Sequence, residues 1–263
     1  SSLLFDVIGA SALAKHAVNC SRIEGLENFG SVISMDQSPI GNNPLSTPIT
    51  FLGIYDEIRN LFASTNEASI RDLKKSDFSY NTKGGRCETC KGQGQTNVSL
   101  DFLSDVWVTC PNCKGKRFSN EILEVKWNNL SIYNMLELTI SEASGAFNEN
   151  KNLLEVFLLL IDLGLGHIKL GQPATTFSGG ESQRLKLARE LIKKQKSKCL
   201  YLLDEPTTGL HFYDIEKLLK VLFKIREQGH ALFIAEHHPW FYKVADYLVE
   251  LGPEGGKNGG HVI

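Results

Sequence analysis

The sequence predicts an α/β fold with a parallel-rich sheet flanked by helices and an inserted four-cysteine zinc module that carries a β-hairpin. Short apolar runs without polar alternation, such as 199–203 and 231–235, are typical of strands buried on both faces of a parallel sheet. Stretches with apolar residues at helical spacing, such as 214–228, separate these runs. Two C-x-x-C pairs between residues 84 and 118 indicate the inserted module.

Polar side chains follow three predicted strands at the point where each strand ends. The runs 31–35, 199–203 and 231–235 are followed by Asp36-Gln37, Asp204-Glu205 and Glu236-His237. Because a β-α-β crossover is almost always right-handed, we expect the last two strands to be parallel and to share one edge. We therefore expect one pocket that is bordered by Gln37, Asp204, Glu205 and His237.

The remaining elements follow from periodicity and turn signals. We expect helices at residues 1 to about 17, 53–62, 151–163 and 214–228, and a helix start near Ser141. Residues 64–83 read as a polar loop, and 247–251 as one more strand.

The segment Ser178-Gly179-Gly180-Glu181 opens a predicted helix. Ser178 can cap the helix, Glu181 stands three residues on as in a capping box, and the two glycines leave the amides uncovered by a Cβ. This pattern predicts an anion site, although an ordinary helix cap would look the same. Asp204-Glu205 suits Mg²⁺ binding and water activation, and a solvated turn is the alternative there.

Four of the six cysteines form the two C-x-x-C pairs, or knuckles, and this spacing predicts one tetrahedral zinc site. Its ligands would be Cys87, Cys90, Cys110 and Cys113. A closed shell of four thiolates has no open position for substrate, so the Zn²⁺ is expected to be structural. Four free buried thiols are the alternative. Between the knuckles we expect a two-stranded ribbon with a turn at Ser104-Asp105.

A cluster of basic side chains surrounds the ribbon, together with Phe102 and Trp107. Charge alone favours a solvated surface here, whereas a basic collar with aromatic side chains also suits nucleic-acid contact. The cluster consists of Lys83, Arg86, Lys91, Lys114, Lys116 and Arg117.

The length and composition limit the classes of protein to which this chain can belong. The 263 residues, 42% of them hydrophobic, suffice for one domain with an insertion, and the net charge of -2 gives no general preference for nucleic acid. The sequence has no 18-residue apolar run and no signal-peptide pattern at its start, which predicts a cytoplasmic protein with no membrane partner.

The motifs together resemble one family of ATPases. FSGGESQRLKLAREL, LLDEPTTGLH and DYLVELGPEGGKNGG resemble the signature, Walker B, D-loop and late segments of ABC-type ATPases, and in particular the A-subunit family of the bacterial UvrABC excinuclease. The resemblance implies an ABC ATPase core that binds ATP and Mg²⁺, recognises damaged double-stranded DNA and loads a UvrB-type subunit. It also implies a homodimer of the full-length protein. DQSPIG and the two cysteine knuckles match the family's Q-loop and DNA-facing zinc module.

The resemblance implies roles for individual residues. Glu205, His237 and Gln37 would be catalytic, Asp204 and Ser1 would bind Mg²⁺, and Ser178 to Glu181 would act on the nucleotide of an N-terminal ABC half. Ser1-Ser2-Leu3 matches the end of the family's phosphate loop, so this chain alone is expected to hydrolyse ATP poorly or not at all. Ser182 and Phe177 replace the family's usual alanine and leucine.

We expect four segments. These are the first part of the core (1–63), the zinc module (64–125), a helical signature-domain segment (126–176) and the second part of the core (177–263). Two other classes share these motifs: a paralogue of the same family in drug tolerance or self-protection, and a transporter-type ATP-binding subunit. The zinc ribbon argues against the second, because it has no use at the cytoplasmic face of a membrane protein.

Overall fold

The computed structural model describes residues 3–41, 43–100, 103–193, 195, 197–252 and 261–263. A π-helical segment, Leu3–Gly9, precedes the first α-helix. The α-helices are α1 (Ala10–Ala14), α2 (Pro48–Phe51), α3 (Tyr55–Ala63), α4 (Asn66–Ile70), α5 (Asn120–Glu124), α6 (Ile132–Glu137), α7 (Ile140–Ala146), α8 (Lys151–Asp162), α9 (Gly179–Ile192), α10 (Phe212–Glu227) and α11 (Pro239–Val244). The strands are β1 (Ser31–Met35), β2 (Gln95–Leu100), β3 (Leu103–Thr109), β4 (Lys126–Trp127), β5 (Leu130–Ser131), β6 (Cys199–Asp204), β7 (Ala231–Ala235), β8 (Leu251–Gly252) and β9 (His261–Val262).

A parallel sheet with the order β1-β6-β7 organises the core. Every residue of β6 except its last, Asp204, is buried, as expected for a central strand covered on both faces. Met35 pairs with Leu203, and Asp204 pairs with Ala235, so all three strands end at the same edge. The predicted α/β fold and the predicted convergence of these strand ends are confirmed.

Helix starts follow local capping chemistry. Thr139 and Glu142 form a reciprocal capping box, so α7 begins at Ile140, one residue before the expected start at Ser141. Ser178 and Glu181 form the capping box predicted for α9.

Three expectations from the sequence are wrong. Residues 247–250 form no strand: Tyr247 is 94% exposed, and ladder pairing with β9 begins at Leu251. Ser104 and Asp105 lie within β3 rather than in a turn, because Leu100 already pairs with Leu103. Residues 64–83 are not a polar loop, because they contain α4 and the fully buried side chains of Phe78 and Tyr80.

The main apolar core joins the sheet, the helices and the base of the zinc module. Tyr80 stacks on Tyr55 with ring centroids 5.2 Å apart and meets Phe118 edge-on at 6.1 Å. Gly92 lies so close to this segment that an added Cβ would be 1.9 Å from the Tyr80 carbonyl oxygen. The zinc module is therefore packed onto the core at its base. The boundaries of the four expected segments remain predictions.

Candidate nucleotide site and four-cysteine centre

The carboxyl edge of the parallel sheet carries the predicted nucleotide-site residues. Asp204 is the last residue of β6, Glu205 follows it, and His237 lies two residues beyond β7. The Glu205 amide donates a hydrogen bond to the Ala235 oxygen at 2.8 Å, which ties the two strand ends together. As a result, Nδ1 of His237 lies 4.0 Å from Oε1 of Glu205.

Gln37 reaches the same edge from β1 and lies against the start of helix α9. A Cβ built on Gly179 would be 3.0 Å from the Gln37 Cβ and 3.1 Å from its Oε1. The buried side chain of Gln183 connects this strand to the next, because its Nε2 donates to the main-chain oxygens of Met35 at 3.0 Å and Asp204 at 2.8 Å. Helix α9 thus fixes the spacing between the ends of β1 and β6.

The N-terminus of α9 is capped on its own chain. Ser178 Oγ accepts a hydrogen bond from the Glu181 amide, and the Ser178 amide donates to Glu181 Oε2 at 2.8 Å. His167, which sequence reasoning missed, lies with Nε2 2.8 Å from Glu181 Oε1. Burial alone would raise the pKa of Glu181, but the hydrogen bonds from Ser178 and His167 hold it below its usual value. Oε1 and Oε2 of Glu181 are therefore both engaged within this chain.

Gly180 of this helix start is also needed for packing. A Cβ on Gly180 would lie 2.5 Å from the Thr208 oxygen, which is closer than real atoms approach. Arg184, almost fully buried, donates from Nη1 to the same oxygen at 2.9 Å. Burial lowers the pKa of Arg184. The segment after Glu205 is thus held against the first turns of α9.

Lys186, on the next turn of α9, anchors the segment that carries Gln37. Its Nζ donates to Asp36 Oδ1 at 2.6 Å and to Ser38 Oγ at 2.7 Å. Hydrogen bonds from Lys186 and Ser38 hold the pKa of Asp36 below its usual value. Gln37 therefore stands between two residues that are both bonded to α9.

Glu236 is a buried carboxylate that sequence reasoning did not single out. Its side chain is 2% exposed and lies between the loop after β6 and the loop after β7. Oε2 accepts from the amide and the hydroxyl of Thr207, at 3.3 Å and 2.8 Å. Its position at a strand end, beside His237, is the feature of the sequence that could have marked Glu236 as a site residue.

The electrostatics of this edge suit a divalent cation. Burial raises the pKa of Asp204, and the neighbouring carboxylates of Glu205 and Glu236 raise it further. A bound cation would offset the repulsion among these three groups, and carboxylate oxygens are the ligands that Mg²⁺ prefers. Asp204, with Glu205 beside it, therefore fits Mg²⁺, whereas both oxygens of Glu236 already accept hydrogen bonds. Ser1, the other expected ligand, lies outside the described residues.

The four predicted metal ligands form one buried cluster. The sulfur atoms of Cys87, Cys90, Cys110 and Cys113 lie within 4.8 Å of one another. The Cys87–Cys110 and Cys90–Cys113 sulfur pairs are 4.0 Å and 3.6 Å apart, far beyond the S–S bond length of about 2.0 Å. Sulfurs at about 2.3 Å from a tetrahedral Zn²⁺ would be about 3.8 Å apart. The geometry therefore fits a zinc ion with four thiolate ligands.

Part of the expected basic cluster lies beside the two cysteine pairs, outside the ribbon strands β2 and β3. Lys83, Lys91, Lys114 and Lys116 are exposed. Trp107, on β3, is half exposed, and Phe102 lies outside the described residues.

Two members of the expected basic cluster are engaged elsewhere. Arg86 pairs with Glu88, and the Arg117 guanidinium lies over the Tyr80 ring, 5.3 Å from its centroid. The surface that could meet a phosphate backbone is therefore lysine-rich and narrower than the sequence suggested.

Known proteins resemble this chain in sequence and in fold. A family model described as ABC transporter matches residues 115–208. UvrABC system protein A from Aquifex aeolicus (strain VF5) is 47% identical over 274 residues, covering 100% of this chain and 29% of that protein. UvrABC system protein A from Listeria monocytogenes serotype 4b (strain F2365) is 50% identical over 242 residues, covering 92% of this chain and 25% of that protein.

The crystal structure of UvrA2 from Deinococcus radiodurans superposes with a TM-score of 0.88 at 40% identity, covering 100% of this chain and 32% of that one. The chain belongs to the family of UvrABC system protein A.

Family membership confirms the resemblance found in the motifs, and with it the ABC ATPase core. The chain spans 29% of the Aquifex UvrABC system protein A and 25% of the Listeria protein. Among the described residues, no helix combines the length and apolar character that crossing a bilayer requires.

Proposed function

We propose that this chain supplies ATP-binding and DNA-contacting parts of a UvrA-type subunit that recognises damaged duplex DNA and loads a UvrB-type partner. The observation that carries the proposal is the arrangement of Gln37, Asp204, Glu205 and His237 at one edge of the sheet. Open α/β sheets bind ligands at the carboxyl ends of their strands. Identity of 47% to UvrABC system protein A over the whole chain supports the repair role.

Each side chain has a distinct task in the proposed hydrolysis of ATP. Mg²⁺, when bound with ATP, would neutralise charge on the phosphate oxygens. Asp204 would hold the metal, and Glu205 would orient the attacking water and accept its proton. His237 would donate a hydrogen bond to the terminal phosphate, and Gln37 would contact the metal and the water.

The helix start at Ser178 to Glu181 serves a different nucleotide in this proposal. It would face the phosphate loop of an N-terminal ABC half of the same protein, as the family resemblance implies. Ser178 is exposed, and its hydroxyl can turn toward an anion in front of the helix. The full-length protein would act as a homodimer, and one Zn²⁺ held by the cysteine cluster would fix the ribbon that meets DNA.

ATP turnover by the protein expressed from its complete gene tests the proposed reaction. Glu205→Gln should lower kcat at least about 100-fold while ATP affinity stays within about threefold, because the substitution removes a base and keeps the shape. Glu227→Gln, on the exposed end of α10, is the matched control and should behave as wild type. Unchanged turnover in Glu205→Gln would refute the assignment.

Binding to DNA separates the repair subunit from a paralogue in drug tolerance. A repair subunit should bind a duplex with one bulky lesion more tightly than the same duplex without it, in the presence of ATP. Loss of its gene should also lower survival after ultraviolet irradiation. Equal affinity for both duplexes together with unchanged survival would favour the paralogue.

A further inference from the structure

The carboxylate of Glu236 joins the two loops that border the proposed ATP site. Oε2 accepts hydrogen bonds from the amide and hydroxyl of Thr207, at 3.3 Å and 2.8 Å. Oε1 accepts from the amides of His237 at 2.9 Å and His238 at 3.2 Å. One buried side chain therefore fixes the loop after β6 with one oxygen and the loop after β7 with the other.

We propose that Glu236 is a positioning residue that keeps Glu205 and His237 in register on either side of the attacking water. The inference rests on the proposed ATPase function. Glu205 has a left-handed backbone, with φ of 45°, which is unfavourable for a residue with a Cβ. Its amide donates to Ala235 and its carbonyl accepts from the Thr208 amide at 3.0 Å, so this conformation depends on both loops staying in place.

The chemistry of the contact requires a carboxylate. Three main-chain amides and the Thr207 hydroxyl donate to Glu236, His237 Nδ1 lies 3.5 Å from Oε1, and a carboxylate offers acceptors at both oxygens. A glutamine amide can satisfy the main-chain amides of one loop but places its own NH₂ against the main-chain amide of the other. Because the side chain is almost fully buried, water is poorly placed to replace a lost partner. Glu236→Gln should therefore release one loop while leaving the volume of the side chain unchanged.

Steady-state turnover and backbone amide exchange together test this role in the protein expressed from its complete gene. Glu236→Gln should lower kcat at least about tenfold, leave ATP affinity within about threefold, and speed amide exchange at Thr207 or at His237 and His238. A group that only stabilised the fold would lower the melting temperature and leave kcat of the folded fraction unchanged. Glu216→Gln, at an exposed acid of α10, is the control and should match wild type.

Thr207 supplies a second, milder test on the same contact. Thr207→Val removes the hydroxyl donor and should lower kcat about threefold. Thr207→Ser keeps the donor and should turn over ATP at the wild-type rate. If amide exchange shows that Glu236→Gln releases the Thr207 loop, the double variant Thr207→Val with Glu236→Gln should have the kcat of Glu236→Gln alone, because both changes then break the same contact. If Glu236→Gln does not fold, the comparison of Thr207→Val with Thr207→Ser tests the positioning role of Glu236 by itself.

The outcomes separate the inference from the proposed function. If the wild-type protein hydrolyses ATP while Glu236→Gln and Thr207→Val turn over within twofold of it, the positioning role is overturned and the ATPase stands. If the wild-type protein shows no turnover, the proposed function fails, and the role of Glu236 fails with it.

Discussion

The side-chain amide of Gln183 donates a hydrogen bond to the main-chain oxygen of Asp204 at 2.8 Å and to that of Met35 at 3.0 Å. One side chain of helix α9 thereby joins the ends of two parallel strands next to the proposed metal ligand. Gln183 is 1% exposed, so the two carbonyl groups depend on this amide rather than on bulk water.

Replacing Gln183 by leucine keeps most of the volume and removes both hydrogen bonds. We expect the free energy of unfolding to fall by about 2–3 kcal/mol, because buried acceptors lose their donor. Urea unfolding of the variant, compared with Gln228→Leu at the exposed end of α10, measures this difference. A loss no larger than that of Gln228→Leu would show that the contact contributes little.

Glu181 should make stability depend on pH. Its pKa in the folded protein lies below the usual value, so its ionised form stabilises the fold at neutral pH. That contribution disappears as the pH falls through the folded-state pKa. We expect Glu181→Ala to lower the free energy of unfolding by about 1 kcal/mol at pH 7, with a smaller difference near pH 3.5. A difference that stayed constant between the two pH values would contradict the capping role of the charge.

The cysteine cluster should hold about one zinc ion per chain. Cys110→Ser should remove the metal and loosen the ribbon, because a closed four-thiolate site loses a quarter of its ligands. Elemental analysis and thermal unfolding measure both effects, and Cys20→Ser, at a cysteine outside the cluster, should change neither. Full zinc content in Cys110→Ser would exclude the proposed ligand set.

The exposed lysines beside the second cysteine pair should contribute to DNA affinity through the phosphate backbone. Lys114→Ala and Lys116→Ala should weaken binding to damaged and undamaged duplexes alike. Each should also reduce the slope of log Kobs against log salt concentration by about 1. Lys220→Ala, on α10, is the control because this lysine pairs with Glu216 on the core fold. An unchanged salt slope in both Lys114→Ala and Lys116→Ala would place the DNA surface elsewhere.

Much of this architecture could be predicted from the chain itself. Strands β1, β6 and β7 were recognisable because each is an apolar run followed at once by polar side chains. The capping box of Ser178 and Glu181 was readable because both partners are local in sequence. The four cysteines were readable for the same reason, since paired knuckles constrain the metal geometry before any tertiary contact is known.

The contacts that hold the site together could not be predicted in the same way. Gln183 bonds to main-chain carbonyl groups, which every residue carries, so nothing in the sequence marks its partners. Arg117 belongs to a run of basic residues, yet it turns inward over Tyr80, which depends on a fold that brings distant residues together. Of the expected strand at 247–251 only Leu251 lies in a strand, because ladder pairing with the distant segment His261–Val262 begins there.

A double-mutant cycle on ATP turnover tests the central claim, that Glu205 and His237 act on one nucleotide, most directly. The rates of Glu205→Gln, His237→Ala and the double variant are compared with wild type under saturating ATP. If both groups serve the same water and phosphate, the double variant should be no slower than the slower single variant, within about threefold. Losses that multiply in the double variant would contradict a shared site.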